Sequence, residues 1–266
     1  MPLWTLFGLT QGKASTTWPA KGGDDGQAGV LGMPRLHVEH CRPDCSDCAA
    51  ICPTRAITLH GHGITLDYGR CIHCQLCVAG CPASALESSG EWAYAVRSRN
   101  DLRTGPADSA MHAEARAVQA GIRRVFGRSL HIRHVDAGSC NGCESELQAL
   151  NNPFYNLHRL GIFFTPSPRF ADLLLVTGPV THAMKTALLA TYEQMPRPRW
   201  VMAAGTCAVS GGVAEDGYAC GHGLENVLPV DLWLPGCPPN PAALIHGLLL
   251  LLERQPQCVR EGRYER

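Results

Sequence analysis

The sequence lacks a dominant charge. Its 23 Lys and Arg are balanced by 23 Asp and Glu, so the formal net charge is zero, and charged residues make up only 17% of the chain. Nor are the basic residues gathered into a run. That argues against a nucleic-acid partner, whose phosphates are neutralised by a concentrated cationic face. A bilayer-spanning apolar run is also lacking. The most apolar stretch, "AALIHGLLLLL" at 242–252, is far shorter than the about 20 residues required, and reads as a buried helix. The opening stretch "MPLWTLFGLTQGKAST" has neither a basic n-region nor a long apolar core, so no export signal is expected and the default compartment is a reducing one.

Cysteine is abundant instead: 14 residues in a chain of 266 that also carries 28 Gly and 19 Pro. In a reducing compartment, dense cysteine points to metal rather than to disulfides. The hydrophobic fraction of 45% is that of a folded globular chain. Eight cysteines fall within 41–81, six are spread over 140–258, and 82–129 holds none. Part of that gap, "DSAMHAEARAVQAGIRRVFG" at 108–127, reads as a linker helix, and the Gly-, Ser-, Thr- and Asp-rich stretch 13–34 as an irregular arm. The organisation expected is an N-terminal arm and cysteine-rich domain over 1–105, a helical linker over 106–129, and a further domain over 130–266.

The first part contains an internal repeat. "CRPDCSDCAAICPTRAITL" begins at 41 and "CIHCQLCVAGCPASAL" at 71, and each closes on Cys-Pro before a short Ala-containing turn. Between them, "AITLHGHGITLDY" reads as two short strands across a Gly-containing turn. The block from Cys71 to Pro82 has the CxxCxxCxxxCP spacing of bacterial [4Fe–4S] ferredoxins, in which three thiolates on one tight loop reach different irons and the fourth, turned away before the Pro, ligates the other cluster. Two blocks then make two clusters with crossed ligation: Cys71, Cys74, Cys77 and Cys52 for one, Cys41, Cys45, Cys48 and Cys81 for the other. The first block departs from the pattern, since three residues rather than two separate Cys41 from Cys45. A [3Fe–4S] cluster is the alternative there, but Cys45, Cys48 and Cys52-Pro53 keep the remaining spacing and favour [4Fe–4S]. Four-thiolate zinc is the alternative chemistry; dense, repeated blocks closing on Cys-Pro are more specific for iron and sulfur. His37, His40, His60, His62 and His73 flank or interleave these cysteines and read as surface residues, or as donors that tune potential through hydrogen bonds to sulfur.

The second part alternates differently. "LHIRHVD" (130–136), "DLLLVTG" (172–178), "RWVMAAG" (199–205) and "VDLWLPG" (230–236) are short apolar runs suited to strands buried on both faces. Helical patterns follow at 144–152, 182–195 and 241–254. Such alternation implies a mostly parallel sheet with helices on both faces. Cys140, Cys207 and Cys237 each lie just past one of these strands, at the edge where open α/β sheets build their sites. With Cys143 they suit a single [4Fe–4S] cluster, and zinc stays open because spacing alone does not exclude it. A thioredoxin-like dithiol accounts for Cys140 and Cys143 but leaves Cys207 and Cys237 unexplained. Cys220, in "YACGHG", is a weaker candidate ligand than Cys207, and Cys258 reads as a free thiol in a polar tail.

"SCNGCE", "GTCAVSGG" and "PGCPPNP", in this order, resemble the small-subunit family shared by [NiFe] hydrogenases and the complex I 20 kDa subunit. "NNPFYNLHRLGIFFTPSPRFADLLLVTGPVT" resembles the membrane-associated, complex I-related hydrogenases and the formate hydrogenlyase small subunit. Residues 1–105 resemble the two-cluster ferredoxin subunit of the same complexes. The fold expected is an α+β ferredoxin-like domain followed by an α/β flavodoxin-like parallel-sheet domain. The resemblance implies an electron-transfer subunit carrying three [4Fe–4S] clusters. Its partners would be a large subunit holding the Ni–Fe site, membrane-embedded complex I-like subunits, and a ferredoxin or formate dehydrogenase-type donor. The place implied is the cytoplasmic side of the inner membrane, peripheral through those partners. The complex I subunit carries two adjacent cysteines where this chain has Cys140-Asn141-Gly142-Cys143, so hydrogenase is favoured over NADH:quinone oxidoreductase. A structural zinc-binding module without redox function is the alternative of another class. Glu144 has two readings: an acidic residue stabilised at a helix N-terminus, or a proton-transfer group at the large-subunit interface.

Overall fold

The computed structural model of the chain describes residues 6, 8–10, 18–19, 27–42, 44–60, 63–104, 129–215, 217–255, 257, 259–260 and 263–264. The predicted linker helix at 108–127, much of the arm at 13–34, His62 and Cys258 lie outside the described residues.

In the first part the repeat of sequence becomes a repeat of structure. Strand β1 (Arg35–Leu36) leads into a 3-10 turn, Val38–His40, that ends on Cys41, and helix α1 (Asp47–Ile51) carries Cys48. Strands β2 (Ile57–His60) and β3 (Gly63–Asp67) form the predicted antiparallel hairpin. A second 3-10 turn, Tyr68–Arg70, ends on Cys71, and helix α2 (Leu76–Ala79) carries Cys77 and packs on α1. Strand β4 (Leu86–Glu87) then returns to pair with β1, and β5 (Arg103–Thr104) pairs with β3. Despite the extra residue between Cys41 and Cys45, Cys41 and Cys71 have nearly the same backbone, φ −70° and ψ 133° against φ −74° and ψ 129°.

Strain is repeated as well. Asp44 and His73, each just ahead of a cysteine, have φ of 61° and 58°, and Arg55 and Ser84, each three residues past a Cys-Pro cysteine, both have φ of 51°. Holding a non-glycine residue there costs about 1–3 kcal/mol. Four such residues at matched positions mark loops shaped for a purpose other than stability. The turn before Cys71 is anchored from below. Asp67 accepts from the Gly69 N–H at 2.9 Å and takes both terminal nitrogens of Arg99, at 2.7 and 2.8 Å, with both residues buried. A buried, two-pronged pair of this kind is rigid, because losing either partner leaves an uncompensated charge at a cost of about 3–5 kcal/mol.

The second part is built on five parallel strands: β6 (Leu130–Asp136), β7 (Ile162–Phe164), β8 (Leu173–Thr177), β9 (Trp200–Ala204) and β10 (Leu232–Leu234). Their spatial order is β10-β9-β8-β6-β7. Counted from the β7 edge this is 2-1-3-4-5, an order consistent with a flavodoxin-like fold. Every residue of β8, β9 and β10 is buried, as the unbroken apolar runs require. The helices are α3 (Gly142–Ala149), α4 (His182–Gln194), α5 (Thr206–Ser210) and α6 (Pro241–Leu251).

Alternation divides the core by face. Leu173, Leu175, Met202 and Leu234 pack with residues of α3 and α6 on one side. Leu174, Val176, Val201 and Trp233 pack on the other with residues of α4 and α5, and with Leu66, Tyr68, Tyr94 and Val96 of the first part. Helix α6 is buried along its whole length, so its all-round apolarity marks a core helix. Pro241 opens it, and the Asn240 side chain caps it by accepting from the Ala243 N–H at 2.8 Å. Among the described residues no helix is long and apolar enough to cross a membrane. The first part is also stitched to the sheet: Val96 and Trp233 exchange backbone hydrogen bonds of 2.9 and 2.8 Å, and Arg97 donates to the Leu250 carbonyl at 2.7 Å.

Candidate iron–sulfur sites

The thirteen described cysteines are free thiols. The structure draws them into groups. Cys52, Cys71, Cys74 and Cys77 together line one cavity, with Pro34, Ile57, Leu66 and Ile72 as its apolar walls. Burial pushes the Cys71 thiol up to about 12, and the like charges of Cys77, Cys52 and Cys74 add to it. Burial likewise pushes Cys77 up to about 11, with Cys52 and Cys74 adding to it. Cys52 lies in this group although it comes from the other block.

Cys48 is pushed up by burial and then by Cys41 and Cys45, which gathers three of the other predicted set. Cys81 is the fourth of that set. Slight desolvation of its thiol is outweighed by the backbone N–H groups of Ala83, Ala85, Leu86 and Ser84, which hold it below the ordinary range. The two Cys-Pro turns match in this respect. Cys52 sulfur accepts from the Ala56 N–H at 3.2 Å, and Cys81 sulfur from the Ala85 N–H at 3.2 Å. Amides aimed at sulfur from left-handed turns are what a bound thiolate needs.

The third group forms at the carboxyl ends of β6, β9 and β10. Cys140 follows β6, Cys143 lies in the first turn of α3, Cys207 lies on α5 and Cys237 follows β10. Burial raises the Cys143 thiol well above the ordinary range, and Glu144, Cys207, Cys237 and Cys140 add like charge. Cys207 is pushed up to about 11 by burial, then by Cys237, Cys140 and Cys220. Cys220 lies near enough to Cys207 to add like charge to it, and its thiol donates to the Ala214 carbonyl at 3.3 Å. Cys140 and Cys237 are exposed, so this site opens onto the surface. Two glycines make the convergence feasible. A Cβ on Gly205, at φ +94°, would lie 2.6 Å from the Cys143 sulfur, and one on Gly236, at φ +146°, would lie 2.5 Å from the Pro239 backbone.

All-thiolate donor sets of this kind suit soft, thiophilic centres, iron–sulfur clusters and zinc alike. A tetrahedral zinc needs its sulfurs closed to about 2.3 Å from one point. An iron–sulfur cluster brings its own irons and sulfides and takes thiolates that stand further apart.

Glu144 is buried in the first turn of α3. One carboxylate oxygen accepts from the Ser139 hydroxyl at 2.6 Å and the other from the Thr177 hydroxyl. His134 Nε2 lies 2.9 Å from the Thr177 hydroxyl and 3.7 Å from Glu144. Burial holds His134 below its usual range, against the pull of Glu144 and Asp136. Sequence reasoning missed Ser139, Thr177 and His134. For His134 the available signal was a polar residue interrupting an otherwise apolar strand; the lone hydroxyls of Ser139 and Thr177 carry no pattern.

Comparison with known proteins follows the same division. Residues 40–86 match the 4Fe-4S dicluster domain, and residues 140–251 match the NADH ubiquinone oxidoreductase 20 kDa subunit. The probable membrane-bound hydrogenase subunit mbhJ of Pyrococcus furiosus is 41% identical over 141 residues, which is 53% of this chain and 84% of that one. The chain belongs to the 20 kDa subunit family. Formate hydrogenlyase subunit 7 of Escherichia coli is 40% identical over 51% of this chain and 53% of its own length. A chain in the solved structure of the membrane-bound sulfane sulfur reductase, an archaeal respiratory membrane complex, is 37% identical over 49% of this chain and 72% of that one, with a TM-score of 0.44. The 20 kDa match holds Cys140, Cys143, Cys207 and Cys237, and the dicluster match holds the eight cysteines of the first part.

Filling the gap at Gly205 tests the third site. Gly205→Ala is expected to lower the iron content of the anaerobically purified chain while its circular dichroism stays unchanged. Gly63→Ala, whose Cβ meets open space, is expected to leave the iron content unaltered.

Proposed function

We propose that this chain is the electron-transfer subunit of a membrane-associated, hydrogenase-type complex, with a two-cluster ferredoxin-like module over 1–105 fused through 106–129 to a 20 kDa-type domain over 130–266. Cys52, Cys71, Cys74 and Cys77 hold one [4Fe–4S] cluster, Cys41, Cys45, Cys48 and Cys81 a second, and Cys140, Cys143, Cys207 and Cys237 a third. Bound clusters supply one-electron oxidation and reduction; the chain's own residues hold, space and shield them. The observation that carries this reading is the convergence of Cys140, Cys143, Cys207 and Cys237 at one end of the parallel sheet from positions up to 97 residues apart in sequence (237 less 140). The similarity to hydrogenase subunits supports the assignment of the complex, and the Cys140-Asn141-Gly142-Cys143 spacing supports hydrogenase over quinone chemistry.

The exposure of Cys140 and Cys237 supports a site whose face opens toward a partner, which we read as a large subunit bearing the Ni–Fe site. Association with the membrane, on its cytoplasmic side, then runs through partner subunits, with a ferredoxin or formate dehydrogenase-type module as the redox partner. Glu144 carries protons at that face through its hydroxyl contacts to Ser139 and Thr177.

The chain purified without oxygen is expected to contain about twelve iron and twelve sulfide, three clusters of four, with reducible EPR signals. Zinc without sulfide would contradict the reading. In the assembled complex, Glu144→Gln is expected to slow H2 turnover and H/D exchange while leaving iron content unchanged. Unchanged turnover and exchange would limit Glu144 to its structural role in α3.

A further inference from the structure

The thiol group of the cavity and that of the strand ends meet across the contact between the two parts, at Thr206. This residue is 1% exposed, opens α5 and immediately precedes Cys207. Its hydroxyl donates to the backbone carbonyl of Cys71 at 2.8 Å, a residue 135 positions away. The same oxygen accepts from the Gly236 N–H at 3.1 Å, and the Thr206 N–H donates to the Gly236 carbonyl at 2.8 Å. Gly236 in turn precedes Cys237. One side chain therefore ties together Cys71 of one proposed ligand set and the residues flanking Cys207 and Cys237 of another. With one hydroxyl proton given to Cys71, the donor of Thr206 is fully used.

The surroundings keep that arrangement in place. The 3-10 turn Tyr68–Arg70, ending on Cys71, packs against α5. Arg70 donates to the Thr54 carbonyl at 3.1 Å and pairs with Glu215, beyond α5. From Cys71 to Cys207 the route through the chain is covalent except for the single 2.8 Å hydrogen bond of Thr206.

We propose that Thr206 is the positioning residue that fixes the separation of these two ligand loops, and that its hydroxyl supplies the one non-covalent link in the route between them. The proposal deepens the electron-transfer reading and rests on it. It assigns to Thr206 a role that neither its position in a short helix nor its burial alone requires. A residue needed only to fill space would be replaced by Val, its near-isostere, without effect.

The test uses the full chain, purified anaerobically, with Thr206→Val, Thr206→Ala and Thr206→Ser. Rapid-freeze EPR after photoreduction reads how fast electrons redistribute among the clusters, and the dipolar broadening of the reduced signals reads their spacing. Amide exchange at Gly236 is read on the same samples, whatever their iron content. Val and Ala are expected to slow redistribution several-fold, to change the broadening, and to speed exchange at Gly236. Ser is expected to restore all three. The proposal is overturned if Val and Ala leave Gly236 exchange and redistribution unaltered, or if Ser is impaired as much as Val. Were the unaltered chain to carry no iron and sulfide, the electron-transfer reading would fall. Exchange at Gly236 would then still decide whether the hydroxyl clamps the two loops.

Discussion

Gathering thiolates in poorly solvated space is unfavourable unless something positive is placed among them, because burial and each neighbouring negative charge favour the protonated form. Cys71, Cys77, Cys143 and Cys207 are all pushed upward, by burial first and then by like charge from the other cysteines of their group and, for Cys143, from Glu144 ahead of them. A chain that assembles such groups must hold them by other means, and most of the local features of this structure serve that end. Left-handed residues turn the loops, backbone amides point at Cys52 and Cys81, and Gly205 leaves room for the Cys143 sulfur. Iron bound there would supply the positive charge and would displace the thiol protons, since the ligands must be deprotonated to bind.

The two parts of the chain share one body of packing. One face of the parallel sheet is covered by residues of the cysteine repeat, and Trp233 of β10 exchanges backbone hydrogen bonds with Val96. A reason for fusing two modules follows. With both on one chain, the contact between the Cys71 loop and α5 is kept by covalent connection, by the Arg70–Glu215 pair and by the shared core, and does not depend on two subunits meeting.

Much of the fold was legible because it rests on periodicity. The run at 130–136 became β6, the runs ending in Gly became β8, β9 and β10, and the stretch at 57–67 became a hairpin. Strand β7 was missed because three residues after Gly161 are too few to show a period, and its place beside β6 is set by pairing alone. Helix α5 was missed for the same reason, at five residues. Within the candidate sites, spacing indicated which cysteines would be neighbours, since short loops restrict what they can reach. In the structure Cys52 lines one cavity with Cys71, Cys74 and Cys77, and Cys81 is held by backbone amides. The hydroxyls of Ser139, Thr177 and Thr206 were not legible. Their partners are carboxylates and carbonyls up to 135 residues away, and a lone hydroxyl in a strand end or tight loop carries no pattern.

The central claim is that the chain's redox centres are built across the repeat, with Cys52 serving the site of the second block. EPR of the reduced full chain, with single Cys→Ser substitutions, tests it most directly. Cys52→Ser and Cys71→Ser are expected to alter one and the same signal, while the signals altered by Cys48→Ser and by Cys140→Ser persist. If Cys52→Ser instead alters the signal that Cys48→Ser alters, ligation does not cross and the account is contradicted.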